Sequence, residues 1–273
     1  MTPPLHGACR PNIAQHKIIA LAHNTFLKRG AFRPTLSRLL SLFRSGPLDV
    51  EYQGVKFRLH YSASATESGA LLNSNYNLDE LTFLRSNLRE GDVFLDIGAN
   101  VGTVALPIAR SVGPKGRVLA IEAHPTALAR LEFNRHASKL DNVTVVAVAA
   151  ADVDGEVTMV SGDENLGASH ISSDARMGGI TVPALTLATI LVQNGVQHIG
   201  ALKIDVEGFE DRVLTDFYEK TPRSAWPRAV VIEHISRDQW QTDCIALMQA
   251  SGYRISERTR SNTMLLLDAA PTR

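Results

Sequence analysis

The sequence predicts an α/β fold: a mostly parallel sheet with helices on both faces, preceded by a helical N-terminal extension. Three observations carry this. Apolar runs such as "DVFLDIG" (92–98), "RVLAIEA" (117–123) and "AVVIEHI" (229–235) read as strands buried on both faces. Segments with helical spacing of apolar residues separate them. A Gly-containing turn, "GANVG" at 98–102, follows the first run directly. Sheets of this kind bind ligands there, at the carboxyl ends of their strands.

The chain has 273 residues, enough for one large domain or a domain with a small appendage. The charge changes at residue 48, and the expected division is 1–48 and 49–273. Residues 1–48 carry seven Lys or Arg and no acid, while the rest holds 21 bases against 28 acids, a net −7. Two cysteines, Cys9 and Cys244, form no framework and suit a reducing compartment. No apolar run approaches the ~18 residues of a membrane span, and no signal-peptide pattern is visible. A cytoplasmic protein is expected.

In the extension, Ile18, Leu21, Ala22 and Phe26 recur at helical spacing. Leu36, Leu39, Leu40 and Phe43 do so after Pro34, a good helix starter. These two basic helices either pack on the acidic body or touch an anionic membrane peripherally. Nucleic-acid binding is not expected, because no aromatic-rich basic groove is visible. Next, "VEYQGVKFRLHY" (50–61) alternates around Gly54 like a hairpin. "NLDELTFLRSNL" (77–88) reads as a helix, with Asn77 and Glu80 as a capping-box variant. The strand at 92–98 leads into a helix at 103–112 that contains Pro107. A "GPKG" turn, the strand at 117–123 and a helix at 125–137 follow, then a strand at 142–150. From Asp152 to Gly200 the rhythm loosens. A strand at 201–207, a helix near 208–218, the strand at 229–235, a helix near 237–250 and two strand-like runs, 253–258 and 263–269, complete the chain.

The turn at 98–102 does not suit a dinucleotide. A nicotinamide site wants G-x-G-x-x-G with a pyrophosphate on the helix N-terminus. Here Gly98, Asn100 and Gly102 lack a third glycine at the right step, and Asp96 adds negative charge nearby. Asp96 instead favours a ligand with an ammonium and a sulfonium, such as S-adenosylmethionine. Glu122 ends the second strand of the sheet, where a carboxylate can accept ribose hydroxyls.

"FLDIGANVG" (94–102), "VGPKGRVLAIEAHP" (112–125), "NVTVVAVAAADVDGEV" (142–157), "ENLGASHI" (164–171) and "LKIDVEGFEDRVL" (202–214) resemble, in order and spacing, the FkbM-type methyltransferases. The resemblance covers residues 50–268 and implies a class I, Rossmann-like, S-adenosylmethionine-dependent enzyme. Members of the family typically methylate hydroxyls on sugars or macrolides, and a few methylate peptide nitrogen. By that resemblance Asp96, Gly98, Asn100, Gly102 and Glu122 form the cofactor site; Thr103 and Ala150 are expected to complete it. The chain departs from the family in two places: "TLATI" (186–190) replaces "TLDDL", and Glu122-Ala123-His124-Pro125 replaces an "EP.P" pattern.

Methyl transfer to a hydroxyl needs alignment of the nucleophile and a group that takes its proton. The expected catalytic residues are Asp205 and Glu207, ending the fourth strand, and His234, ending the fifth. Lys203, Glu233, Asn165 and His170 are further candidates. Each has a plainer reading. Lys203 can pair with Asp205 or Glu233, Glu207 can cap the next helix, and His234 can be a structural hydrogen-bonding residue. The acidic set could hold a divalent cation, but no metal is expected. The acceptor is expected to be a small molecule or glycan, methylated on oxygen. N-methylation of a peptide or amine, and a non-enzymatic nucleoside-binding module, are the alternatives.

Overall fold

The computed structural model describes residues 3–160, 170–172 and 179–268. Two helices open the chain, α1 (Ile13–Asn24) and α2 (Arg33–Phe43). Asn12 and Gln15 form a complete capping box on α1, and Pro34 sits in the first turn of α2. The buried Gln15 amide also donates to the carbonyls of Leu40 and Arg44, so one side chain caps one helix and closes the end of the other. Strands β1 (Leu48–Tyr52) and β2 (Val55–Leu59) form the expected hairpin. Gln53 and Gly54 between them both have positive φ, as a type I′ turn requires.

Helix α3 (Ala65–Leu72) was not predicted. It is buried from Glu67 to Leu72, including Ser68 and Gly69, so it carries no polar face for periodicity to detect. Helix α4 (Leu78–Asn87) lies where predicted, but the capping box does not form. Asn77 is left-handed and makes no cap bond, and Glu80 instead accepts a hydrogen bond from the Asn262 amide.

Next come β3 (Val93–Ile97), α5 (Ala105–Ser111), β4 (Arg117–Ile121), α6 (Pro125–Ser138) and β5 (Val143–Val146). The late start of α5 places Pro107 in its first turn, where no intrahelical N–H is needed. The run 142–150, expected as one strand, is two. Only β5 joins the main sheet; β6 (Ala149–Ala151) pairs elsewhere. With β7 (Gly155–Val160), β8 (His170–Ser172) and β9 (Ile180–Thr186) it makes a second sheet, ordered β6-β9-β7-β8. That sheet occupies the stretch where the sequence rhythm loosens.

The chain then forms α7 (Leu187–Gln193), β10 (Ala201–Ile204), α8 (Glu210–Lys220), β11 (Ala229–Glu233), α9 (Cys244–Ala250), β12 (Tyr253–Arg258) and β13 (Asn262–Leu267). α9 is shorter than the predicted 237–250, because a separate 3₁₀ turn takes residues 237–239 and Asp243 caps the helix proper. The main sheet is ordered β12-β13-β11-β10-β3-β4-β5. Strands β11, β10, β3, β4 and β5 are parallel, and β13 runs against β11. This is the doubly wound, Rossmann-like α/β fold that the sequence implied.

Alternate residues of one strand enter opposite cores. Phe94 and Ala120 join one cluster, and Leu95 and Leu119 the other. The first cluster also takes in Ala22, Leu36 and Leu40 from the N-terminal helices. The strand order reverses between β3 and β10, so a crevice opens beyond their carboxyl ends.

Candidate active site

A cavity of about 310 Å³ occupies that crevice. The loop after β3 forms its floor. Gly98 has φ +77°, and a Cβ there would lie 1.9 Å from the Asp205 carbonyl oxygen. Only glycine lets the chain leaving β3 pass so close to the chain leaving β10. The N–H groups of Gly98 and Ala99 donate to the Ile121 carbonyl at 2.9 and 3.0 Å.

Glu122 ties the next residue of this loop to β4. Its Oε2 accepts from the Asn100 N–H at 2.8 Å, and its Oε1 accepts from Ala123 and His124 at 2.9 and 2.7 Å. Burial raises its pKa against these three bonds. Asn100 adopts left-handed geometry, with φ 50°, to make its contact. Asp96, Gly98, Asn100, Thr103, Glu122 and Ala150 all line the cavity. Gly102 is not among the lining residues. A Cβ there would lie 2.6 Å from Leu131 and 2.8 Å from Leu106, so this glycine is required by the packing of α6 against α5.

At the other end of the cavity Lys203 is surrounded by acids. Its Nζ lies 3.1 Å from Asp205 Oδ2 and 4.0 Å from Asp96 Oδ1. Burial opposes its charge, but the carboxylates of Asp205, Asp96 and Glu80 outweigh that and raise its pKa. The expected pairing of Lys203 with Asp205 is therefore present. Asp96 is 1% exposed, and neither of its oxygens accepts a hydrogen bond of good geometry, the Ala105 N–H being its nearest backbone donor. Burial pushes it up to about 6, and pushes Glu80 up to about 7.

Glu207 lines the cavity in left-handed geometry. It does not cap α8. Glu210 takes the N–H groups of Val206 and Gly208 and the Trp240 indole N–H. Burial pushes Glu207 up to about 7 and Glu233 up to about 8, with Asp205 adding repulsion in both cases. Glu233 faces the cavity with its Oε2 unpartnered. His234, the next residue, is not brought to the cavity. Its Nδ1 lies 3.0 Å from the Thr263 hydroxyl on β13, and burial lowers its pKa. Carboxylate oxygens of Asp205, Glu210 and Glu233 lie within 4.8 Å of one another. Glu210 is already bound to the backbone and Trp240, and Lys203 supplies a cation to Asp205.

Sequence reasoning missed one wall. Thr66, Tyr76, Asn77, Glu80, Ser261 and Asn262 all line the cavity. They come from the α3–α4 region and the start of β13, far from the motifs in sequence. Asn165 lies outside the described residues, and His170 is described only as part of β8.

The sequence pattern of the methyltransferase FkbM domain matches residues 96–255 of this chain. The chain belongs to the FkbM methyltransferase family. S-adenosylmethionine is its cofactor. The FkbM match begins at Asp96 and takes in every strand end around the cavity, from β3 to β11. Over 199 residues the chain is 29% identical to the 31-O-demethyl-FK506 methyltransferase FkbM of Streptomyces tacrolimicus, covering 62% of this chain and 75% of that protein. Over 119 residues it is 33% identical to a probable cobalt-precorrin-6B C(15)-methyltransferase (decarboxylating) of Sulfurisphaera tokodaii, covering 40% of this chain and 62% of that one. A 71-residue stretch is 38% identical to ribosomal RNA large subunit methyltransferase E of Nitratidesulfovibrio vulgaris, covering 26% of this chain and 35% of the relative.

Local hydrogen bonds occur at both places where the chain departs from the FkbM pattern. At 186–190 Asp154 reaches across. It accepts the Thr186 N–H at 2.6 Å and the Thr189 hydroxyl at 2.8 Å at the start of α7. At 122–125, where Ala123 stands at the position of the first proline, the neighbouring His124 caps α6 by accepting the Thr126 N–H.

Proposed function

We propose that this FkbM-family chain transfers a methyl group to a hydroxyl oxygen of a sugar or another polyhydroxylated small molecule. The observation that carries the reading is Asp205. It sits at the carboxyl end of β10, held by Lys203 at 3.1 Å, in the same cavity as the Gly98–Asn100 loop.

The residues present fit S-adenosylmethionine. Asp96, whose oxygens keep free acceptor capacity beside Lys203, suits an ammonium. Glu122 uses three of the roughly four acceptor sites of a carboxylate on the backbone and keeps room for a ribose hydroxyl. Ile97, Ile121, Val148 and Met159 offer apolar walls for a purine. When bound, the cofactor supplies a methyl group on a sulfonium, which leaves as a neutral thioether.

Asp205 orients the acceptor hydroxyl and takes its hydrogen bond, and then its proton, as the oxygen–carbon bond forms. Lys203 holds Asp205 in place. Glu80, Glu207 and Glu233 titrate near neutrality, so they can donate as well as accept hydrogen bonds to the other hydroxyls of a polyol. This acid-lined cavity disfavours phosphate-bearing acceptors, RNA among them. The same surplus of carboxylates would suit an ammonium, which favours N-methylation of an amine as the second reading.

The test is mass spectrometry of acceptor pools incubated with enzyme and isotope-labelled S-adenosylmethionine. The pools are neutral sugars, lipid-linked sugars, amines and RNA. Label on a carbohydrate oxygen is the expected result. Label on an amine nitrogen would establish the second reading, and label on RNA would overturn both.

A further inference from the structure

Residues 1–48 form a surface that the methyl-transfer site does not use. Their seven Lys and Arg are accompanied by no Asp or Glu. Of the eleven large apolar side chains exposed among the described residues, seven lie between Leu5 and Phe43. Ile13 is 78% exposed, Phe26 61% and Leu42 81%. Helices α1 and α2 pack on each other and on α3, so their inner faces are spent on the core. The faces left over carry Ile13, Lys17 and Leu21 on α1 and Arg38, Leu39 and Leu42 on α2, all exposed. Residues three and four apart are neighbours on a helix. Each outer face therefore sets cations beside apolar side chains.

We propose that this outer face of α1 and α2 binds an anionic lipid bilayer. Charge complementarity selects the occupant. Apolar side chains that insert at the headgroup boundary, with cations beside them, are what an anionic bilayer rewards. A second copy docking by two-fold symmetry would set this all-basic patch against itself, at a repulsive cost. RNA would match the cations but leave Ile13, Phe26 and Leu42 without a partner. The face also adjoins the cavity. The Arg33 guanidinium at the start of α2 lies 5.3 Å from the Tyr76 ring centroid, and Tyr76 is a cavity-lining residue. A bilayer on α2 would stand beside the acceptor wall.

The experiment is co-sedimentation of the full chain with phosphatidylcholine vesicles, with and without phosphatidylglycerol, at low and high salt. We expect binding to the anionic vesicles, weaker by about tenfold or more without phosphatidylglycerol and in high salt. A Lys17→Glu/Arg38→Glu variant and an Ile13→Glu/Leu42→Glu variant should each lose about tenfold or more in partitioning. Both should keep the wild-type S-adenosylmethionine affinity, which shows that the fold is intact. Equal binding to both vesicle types, or binding to neither, would overturn the proposal. So would a vesicle-free dimer that the same substitutions dissociate, or RNA binding that they abolish while vesicle binding persists.

Discussion

Lys203 and Asp205 meet at 3.1 Å in the crevice between β10 and β3, and Asp96 lies 4.0 Å from the same ammonium. One buried cation thus serves both the acid expected to face the acceptor and the acid expected to face the cofactor. Removing it leaves Asp96 buried with no counter-charge. Lys203→Met should lower stability by about 3–5 kcal/mol, the usual cost of breaking a buried pair from one side. Urea denaturation measures this. A loss below about 1 kcal/mol would mean that the pair behaves like an exposed one.

Asp205→Asn keeps the size of the side chain and removes its capacity to accept a proton. The expected outcome is a fall in kcat of roughly 10²–10⁴-fold with the cofactor Kd unchanged, since an interaction made only in the transition state is lost. Near-wild-type turnover would move the search to Glu207 and Glu233.

Glu122→Ala removes the acceptor of three main-chain N–H bonds and the expected ribose contact. Cofactor affinity should fall ten- to a hundredfold, about 1.5–3 kcal/mol. Isothermal calorimetry reads this directly. Unchanged affinity would remove Glu122 from the cofactor site.

Gly98→Ala should be far more damaging than an ordinary glycine-to-alanine change. The new Cβ would meet the Asp205 carbonyl at 1.9 Å, on backbone at φ +77°. The strain alone costs about 1–3 kcal/mol, and the clash must also move the chain after β10. Both the thermal midpoint and cofactor affinity should drop. A variant with wild-type cofactor affinity would contradict the close approach of the two loops.

Stability should depend on pH through Glu80, Asp96, Glu207 and Glu233. All four have folded pKa values raised by burial, to about 7, 6, 7 and 8. The folded state then binds more protons than the unfolded state. The resulting contribution is fully present below about pH 4, the unfolded carboxyl range. It is lost as pH rises through the folded values. Glu233→Gln cannot lose it, so its stability relative to wild type should increase from about pH 5 to pH 8. Thermal melts at matched ionic strength test this. A difference that stays flat, or falls, with pH would place Glu233 in a wetter setting than the cavity.

The elements with a clean period were legible in the residues. The parallel strands, the hairpin, α6 and the Gly98–Gly102 turn follow from apolar runs, turn chemistry and spacing, because burial on both faces of a sheet writes itself into each strand locally. The two helices of residues 1–48 were legible for the same reason. Two kinds of feature were not. Helix α3 and the second sheet carry no clean alternation, since α3 is buried nearly all round and β6 is three alanines that continue the run of β5. The partners of each polar side chain were also out of reach, because they come from distant segments. Asn77 and Glu80 have the spacing of a helix cap. Only the approach of Asn262 from β13 turns Glu80 into a cavity wall. Glu233 and His234 are adjacent, and both are candidate proton acceptors at the end of β11. The pairing of β11 with β13 sends His234 to Thr263 and leaves Glu233 facing the cavity. Gly98 and Gly102 look alike in the motif; one is required by the Asp205 backbone and the other by Leu131. The sequence alone determined which chemistry this chain carries, because reactive side chains and turn residues are local properties. Which of them converge was decided by tertiary structure, because convergence depends on strand order and register between segments up to 182 residues apart.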